Sequence, residues 1–280
     1  MTNSKIRYET PRPGIARIVL ARPETRNSQD TQLLYDLNDA FDKAAHDNDI
    51  KVIILAADGP HFSSGHDLRE NLQGAMAGHD TVGTWCGFEC EGAQGQMARE
   101  KEIYLGFSER WRNIPKPTIA EVQGKVIAGG LMLVWPCDIV VAADNAVFAD
   151  NTVAMGIAGA EFFNHPWEVG VRKAKEMLFT SDALSAADAH RLGMVNHVVP
   201  LDELATFTMQ LAEHIAEQPL FALRLAKEAV NTAQDNQGRV NAMQASFALH
   251  QLCHAHNMLI GGQLIDMSFL QRQQAIAARW

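Results

Sequence analysis

Two glycine-bearing turns, each next to an apolar segment, contain the residues of this chain that are best suited to chemistry. The first turn covers residues 61–68 and follows the apolar segment 52–56, whereas the second contains Gly129 and Gly130 and follows the apolar segment 118–122. Glycine lets a backbone approach a ligand closely, and a turn that leads into a helix leaves its first N–H groups without partners. Two such turns facing each other would direct two N–H donors at one oxygen atom, which is the geometry of an oxyanion hole.

The elements that must position these turns alternate between strand and helix in the first part of the chain. Apolar runs predict strands over residues 15–20, 52–56, 118–122, 137–143 and 146–149. A helix between the first two strands can be capped by Ser28 or Asp30. This strand–helix–strand order predicts an α/β fold whose strands are buried on both faces.

The remainder of the chain is predicted to be mainly helical. Residues 70–98 are rich in Gly and Ala and are expected to form mobile helix and loop. Further helices are predicted over residues 99–113, 171–179, 186–192, 201–217, 220–234 and 239–260. We therefore divide the chain into a core over residues 1–200 and a helical region over residues 201–280, which we expect to pack against a neighbouring subunit and close the pocket.

The composition restricts the class of protein. The 280 residues are 47% hydrophobic and 20% charged, as is usual for a globular protein. No apolar run approaches the ~20 residues of a membrane helix, and the start of the chain has no signal-peptide core. The net charge of −9 argues against a nucleic-acid partner, and four Cys in a long chain indicate a reducing compartment. We expect a cytoplasmic protein that binds a small molecule.

Short segments in a particular order give the chain a resemblance to the crotonase (enoyl-CoA hydratase/isomerase) superfamily. The matching pieces are Arg22-Pro23 with Asn27, residues 62–68, residues 116–120, Gly124, Gly129-Gly130, residues 137–139, residues 146–148 and residues 192–196. The resemblance implies a spiral of stacked ββα units with a helical C-terminal region, assembled as a homotrimer or as a hexamer of two trimers. It also implies that acyl-CoA thioesters bind and that an enolate of the thioester carbonyl is stabilised.

The resemblance further implies positions for the site residues. It assigns the two oxyanion N–H groups to His66 and Gly129. The CoA entrance and the acyl pocket would then involve Arg26, Ser64, Asp67, Leu68, Met132 and Thr152. Arg26 is a candidate partner for a phosphate group, although it can equally be a solvated loop charge.

The chain departs from family hydratases at both glutamate positions that the resemblance implies. These positions hold Met132 and Thr152, neither of which can act as a carboxylate base. The resemblance also implies a single acid four or five residues after a glycine in family isomerases and in a carbon–carbon bond hydrolase, and Glu161, five residues after Gly156, fits the five-residue case. We expect its neighbours Phe162 and Phe163 to raise its pKa and make it a better base. The alternative for Glu161 is a charge that stabilises a helix N-terminus.

Double-bond isomerisation of an enoyl-CoA thioester is therefore the favoured reaction, with Glu161 as base and His66 and Gly129 as donors. The first alternative is a hydratase or a C–C hydrolase in which Glu161 activates water. The second is a family member that binds acyl-CoA without catalysis. No nucleotide-binding glycine motif is present, so we expect no cofactor apart from the CoA of the substrate.

Other histidines, cysteines and aromatic residues leave several possibilities open. The His66 ring could close the pocket or contact CoA, and His165 could share a helix face with Glu161 or be a packed surface residue. His250, Cys253, His254 and His256 suggest a metal site, but no carboxylate or second Cys completes it, and Cys86 and Cys90 lack a partner pair; no metal is expected. Five aromatic residues hint at a bulky or cyclic acyl chain, namely Trp85, Phe88, Tyr104, Phe107 and Trp111.

Overall fold

A six-stranded sheet lies at the centre of the structure, a computed structural model that describes residues 5–278. The strands are β1 (Ile6–Arg12), β2 (Ile15–Leu20), β3 (Val52–Ala57), β4 (Thr118–Val122), β5 (Lys125–Ile127), β6 (Ile139–Ala143), β7 (Val147–Ala149), β8 (Leu184–Ser185) and β9 (His197–Val199). The large sheet has the order β1-β2-β3-β4-β6-β9, in which β1 is antiparallel to β2 and the other neighbours are parallel. A small sheet has the order β5-β7-β8.

The central strands are buried at every position, as their unbroken apolar character predicts. All six residues of β3 and all five of β4 are buried. One face of the sheet packs against Leu33, Leu37 and Phe41, and the other packs against Leu204 and Ala212. Parallel strands covered on both faces have no polar side to present to water, which explains the lack of alternation in these segments.

Helices cover the sheet and form the whole C-terminal region. They are α1 (Thr31–His46), α2 (Ala93–Glu100), α3 (Phe107–Arg112), α4 (Leu131–Val134), α5 (His165–Thr180), α6 (Ala186–Leu192), α7 (Leu204–Ala216), α8 (Leu220–Asn236), α9 (Arg239–Gly261) and α10 (Phe269–Ala277). A π-helical segment, Lys101–Gly106, joins α2 to α3. From residue 200 to the end of the described chain there are helices and no strands. The mixed α/β body with a helical C-terminal region is therefore confirmed.

Two features differ from the sequence-based expectation. The turn at residues 61–68 leads into a long loop rather than a helix, since no helix or strand is formed between residues 67 and 92. The helix expected over residues 171–179 begins earlier, at His165, and its backbone is interrupted at Gly170, where φ is 75°. Within the described residues, no helix combines the length and apolar character that a membrane span requires.

Candidate active site

The two glycine turns are in direct contact. The first turn is held on the second by backbone pairing, because Ile127 N donates to Ser63 O at 3.1 Å. A Cβ atom added to Gly65 would lie 2.8 Å from Ile127 O and 3.2 Å from Gly129 N. A Cβ atom added to Gly130 would lie 2.9 Å from Ser63 O. Glycine is therefore required for the two backbones to approach this closely.

The His66 side chain points from the first turn toward Glu161. Its Nε2 atom lies 3.2 Å from Glu161 Oε2, and its ring stacks on Tyr104 with the centroids 3.8 Å apart. The ring also occupies the space beside Gly129, because a Cβ atom on that glycine would lie 2.6 Å from His66 Cε1. The side chain of His66 therefore lies between Gly129, Tyr104 and Glu161.

Glu161 is a buried carboxylate in the loop that precedes α5, and its side chain is 4% exposed. Burial by itself would raise its pKa, but the charges of His66 and His250, together with the hydrogen bond from His66, outweigh burial and lower the pKa below its usual value. The expectation that Phe162 and Phe163 would raise this pKa is therefore wrong. The carboxylate is held ionised by its histidine neighbours.

A second group of buried ionisable residues lies beside Glu161. His250 Nε2 is 3.5 Å from Glu161 Oε1 and 3.5 Å from Glu100 Oε2, while His254 Nε2 is 3.1 Å from Glu100 Oε1. Although burial favours the neutral imidazole, Glu161 and Glu100 raise the pKa of His250 to about 9. The expectation that no carboxylate accompanies these histidines is wrong, because Glu100 on α2 lies against them.

Two adjoining cavities connect these groups with the surface. The inner cavity has a volume of about 510 Å³. Its lining includes Gly129, the two carboxylates and the three histidines described above, which are Glu100, Glu161, His66, His250 and His254. The outer cavity, about 320 Å³, is lined by His61, Arg26, Ser64 and Lys125. His66, Leu68 and Thr152 line both cavities, so the two spaces meet at the glycine turns.

The other residues expected to bind substrate differ in their surroundings. Asp67 lines the inner cavity, but its carboxylate is already bound by Arg22, Ser28 and Arg69. Thr152 lines the cavities, and its hydroxyl donates to Asp150 Oδ1 at 2.5 Å. Met132 is buried in the core and belongs to neither cavity lining within the described residues.

His165 does not act with Glu161 in the way that the sequence suggested. It is the first residue of α5, whereas Glu161 lies in the preceding loop, so the two residues share no helix face. His165 is fully buried, and its Nε2 atom is 2.8 Å from Asp150 Oδ2. Both the helix-face expectation and the surface alternative are therefore wrong, since this histidine is fully buried and lies within hydrogen-bond distance of Asp150.

Most of the aromatic residues that hinted at a bulky acyl group lie outside the two cavities. All five belong to the described part of the chain, and among them Tyr104 alone lines the inner cavity. Phe107 and Trp111 are buried in the core, and Trp85 is exposed. The aromatic content of this segment therefore says little about the acyl group.

Comparison with known proteins identifies the family to which this fold belongs. The family model described as enoyl-CoA hydratase/isomerase matches residues 10–262. EchA13 of Mycobacterium tuberculosis, named as a candidate enoyl-CoA hydratase, is 44% identical over 269 residues, which cover 92% of this chain and 84% of that protein. The chain therefore belongs to the enoyl-CoA hydratase/isomerase family of the crotonase superfamily, and its fold is the expected crotonase fold.

Solved structures of similar proteins include both hydratases and an isomerase. A probable enoyl-CoA hydratase from Mycobacterium smegmatis is 46% identical with a TM-score of 0.85, over 95% of this chain and 99% of that chain. A monofunctional enoyl-CoA isomerase from the same species is 26% identical with a TM-score of 0.66, over 83% of this chain and 95% of that chain. The family relationship thus identifies an enoyl-CoA hydratase/isomerase-like enzyme. It does not distinguish hydration from isomerisation, so the choice between them must be argued from the residues of the site.

Proposed function

We propose that the protein isomerises the double bond of an enoyl-CoA thioester. The observation that carries this proposal is the position of Glu161, a buried carboxylate on the wall of the same cavity as His66 and Gly129. The resemblance places the glutamates of family hydratases at positions that here hold Met132, in the core, and Thr152, whose hydroxyl is bound to Asp150. A carboxylate that can both take and return a proton is sufficient for isomerisation.

In this reaction the N–H groups of His66 and Gly129 bind the thioester carbonyl oxygen. Glu161 removes a proton from C2 of a 3-enoyl thioester, and the electron pair moves through C2 and C1 to that oxygen. The resulting dienolate is stabilised by the two donors, each of which contributes about 3 kcal/mol in a typical oxyanion hole. Glu161 then returns the proton to C4, which leaves the double bond between C2 and C3.

His66 contributes to the proposed reaction by orienting the base. Its Nε2 atom lies 3.2 Å from Glu161 Oε2, while Oε1 of the same carboxylate faces His250. The lowered pKa keeps Glu161 ionised at neutral pH, so that it is ready to accept a proton. The proton becomes acidic enough to transfer because the developing negative charge is placed on the hydrogen-bonded oxygen.

Hydration of a 2-enoyl thioester is the second candidate reaction. It is favoured by the presence of Glu100 in the inner cavity, because hydration requires proton transfer at two carbons. His250 Nε2 is 3.5 Å from an oxygen of each carboxylate, so Glu100 and Glu161 lie on either side of one imidazole. In this alternative Glu161 activates a water molecule and the second carboxylate acts on the other carbon.

The outer cavity fits the CoA part of the substrate. Arg26 and Lys125 line it and carry positive charge, which complements the phosphates of CoA.

Oligomerisation is also part of the proposal, since the C-terminal helices expose several large apolar side chains. These include Phe221 and Val230 on α8 and Leu252 and Leu259 on α9. A trimer or a hexamer would cover such surface.

Glu161→Gln tests the reaction because it keeps the shape of the side chain and removes the base. We expect isomerisation of a 3-enoyl-CoA to fall by about 10³-fold, the usual size of a general-base contribution. Glu203→Gln, at an exposed position just before α7, is the matched control and should retain full activity. A thermal shift with a non-reacting acyl-CoA reports whether the substrate still binds.

Each other outcome points to a different conclusion. Unchanged isomerisation in Glu161→Gln would remove this residue from the mechanism. Faster hydration of a 2-enoyl-CoA than isomerisation in the wild type, lost in both Glu161→Gln and Glu100→Gln, would establish the second candidate. An acyl-CoA thermal shift without turnover on either substrate would indicate a binding protein.

A further inference from the structure

Three buried side chains converge on one point at the wall of the inner cavity. His250 Nε2 and His254 Nε2 are 2.9 Å apart, and Glu100 places Oε1 3.1 Å from His254 Nε2 and Oε2 3.5 Å from His250 Nε2. His250 and His254 are four residues apart on α9, so they lie on one helix face, and Glu100 is the last residue of α2. Helix packing thus brings together two imidazoles and a carboxylate from distant parts of the chain.

The hydrogen bonds of the two histidines determine which nitrogen atoms carry protons. His250 Nδ1 is 2.7 Å from Gly159 O, and His254 Nδ1 is 2.8 Å from Leu264 O. A carbonyl oxygen can only accept, so each Nδ1 must be an N–H donor. In their neutral forms both imidazoles therefore direct an unprotonated Nε2 lone pair at the other. Two lone pairs at 2.9 Å require a cation between or beside them, either a proton or a metal ion.

The surroundings of the cluster match those of protein metal sites. A metal-binding histidine usually donates its second N–H to a backbone carbonyl, which fixes the ring and the tautomer, and both histidines do so here. Gln96 and Gln251 each donate a hydrogen bond to a different oxygen of Glu100 and so hold the carboxylate in place. The three candidate ligands are 4–7% exposed.

The spacing of the candidate ligand atoms also suits a transition-metal ion. Metal–nitrogen and metal–oxygen bonds of about 2.0–2.1 Å put neighbouring ligand atoms about 2.9 Å apart in octahedral and about 3.4 Å apart in tetrahedral geometry. The two Nε2 atoms are 2.9 Å apart, and Glu100 places Oε1 3.1 Å from His254 Nε2 and Oε2 3.5 Å from His250 Nε2, so each imidazole has a carboxylate oxygen at a distance of this size. Calcium and magnesium prefer oxygen ligands, so two imidazoles favour a first-row transition metal over either.

We propose that His250, His254 and Glu100 form a binding site for one divalent first-row transition-metal ion, such as Zn²⁺. Three protein ligands leave coordination positions open, as in sites whose metal meets a further ligand. The ligands line the inner cavity, so an open position is accessible to a molecule bound there. The carboxylate of Glu161 is next to the proposed metal site, because its Oε1 atom lies 3.5 Å from His250 Nε2. The proposal does not rest on isomerisation by Glu161, because that reaction does not use Glu100.

Metal titration of the untagged wild-type protein at pH 7.5 tests the proposal. After chelator treatment and desalting, we expect one equivalent of Zn²⁺ or Co²⁺ to bind saturably, as measured by elemental analysis and by the visible spectrum of bound Co²⁺. His254→Gln and Glu100→Gln should each weaken the affinity by more than about 100-fold, since loss of a direct ligand exceeds the 10–100-fold cost of disturbing its support. Circular dichroism checks that the variants are folded.

His256→Gln is the matched control, because His256 lies on the same helix but is exposed. It should leave the stoichiometry and affinity unchanged. The proposal is overturned if the wild type binds neither ion saturably, which would mean that a proton bridges the imidazoles. It is also overturned if folded His254→Gln binds as tightly as the wild type, or if His256→Gln abolishes binding. These readouts do not depend on turnover, so they remain informative even if the proposed isomerisation is not observed.

Discussion

Gly65 lies where the two turns of the site meet, and Gly65→Ala tests whether their contact determines activity. The added Cβ atom would lie 2.8 Å from Ile127 O and 3.2 Å from Gly129 N. Both neighbours are backbone atoms, so they cannot move aside as the end of a flexible side chain could. The φ angle of Gly65 is +87°, in the region that favours glycine.

The size of the effect follows from these two features. A non-glycine residue in left-handed backbone costs about 1–2 kcal/mol of stability. To restore ordinary contact at 3.4 Å, the two turns must separate by about 0.6 Å from the present 2.8 Å. Such a shift displaces the proposed N–H donor of Gly129 from the thioester oxygen. Loss of one oxyanion donor costs about 3 kcal/mol, so we expect kcat to fall about 100-fold.

The assay compares kcat for a 3-enoyl-CoA with the free energy of unfolding in urea. Gly78→Ala is a matched control, because Gly78 has a φ of +84° and no atom within 4 Å of an added Cβ. It should lose a similar 1–2 kcal/mol of stability with kcat unchanged. A folded Gly65→Ala enzyme with kcat within about threefold of wild type would refute the reasoning, as would an equal loss of kcat in Gly78→Ala.

Two further predictions concern the pH dependence of stability. Burial would raise the pKa of Asp150, but the hydrogen bond and charge of His165 lower this pKa to about 2 from the usual 3.8. The ionised Asp150 therefore contributes about 2 kcal/mol to the free energy of unfolding above pH 4, and this contribution is lost as the pH falls through 2. Asp150→Asn should therefore cost about that amount at pH 7, by urea unfolding, and a cost that does not shrink toward pH 2 would contradict this account. Burial raises the pKa of Glu168 to about 7 from 4.5, so the folded protein holds a proton that the unfolded chain releases. The free energy of unfolding of the wild type should therefore fall as the pH rises from 5 to 8. We expect a fall of about 2 kcal/mol, because Glu168 is partly in contact with water. Glu168→Gln should remove this decrease, and equal slopes for the two proteins in urea unfolding at pH 5 and pH 8 would count against it.

Most of the sheet could be predicted because its signals are local. The bounds of β2 and β4 are those expected from the sequence, since an unbroken apolar run marks a strand that is covered on both faces. The strand β1 could not be predicted in this way, because it lies at the edge of the sheet and only one of its seven residues is buried. The strands β5, β8 and β9 contain only two or three residues, too few to establish a period.

The candidate site also contains some features that could be predicted from the sequence and others that could not. The glycine turns could be identified from residue type and spacing, and the resemblance to the family pointed to Glu161 and to the replacement of both hydratase glutamates. The pairing of His165 with Asp150 could not be identified in this way, because the fold brings together residues from a loop and from the start of a helix. The pKa of Glu161 was also predicted with the wrong sign, since its neighbours in the sequence are apolar and its neighbours in space are histidines.

The sequence by itself determined the family, the two glycine turns and the spacing of His250 and His254 on one helix face. Only the tertiary structure placed Glu100 against those histidines and the His66 ring against Glu161. The physical reason is the range of the interactions. Turn geometry and helical spacing depend on a few consecutive residues, whereas His250 is 150 residues from Glu100 along the chain and meets it only because α9 packs against α2.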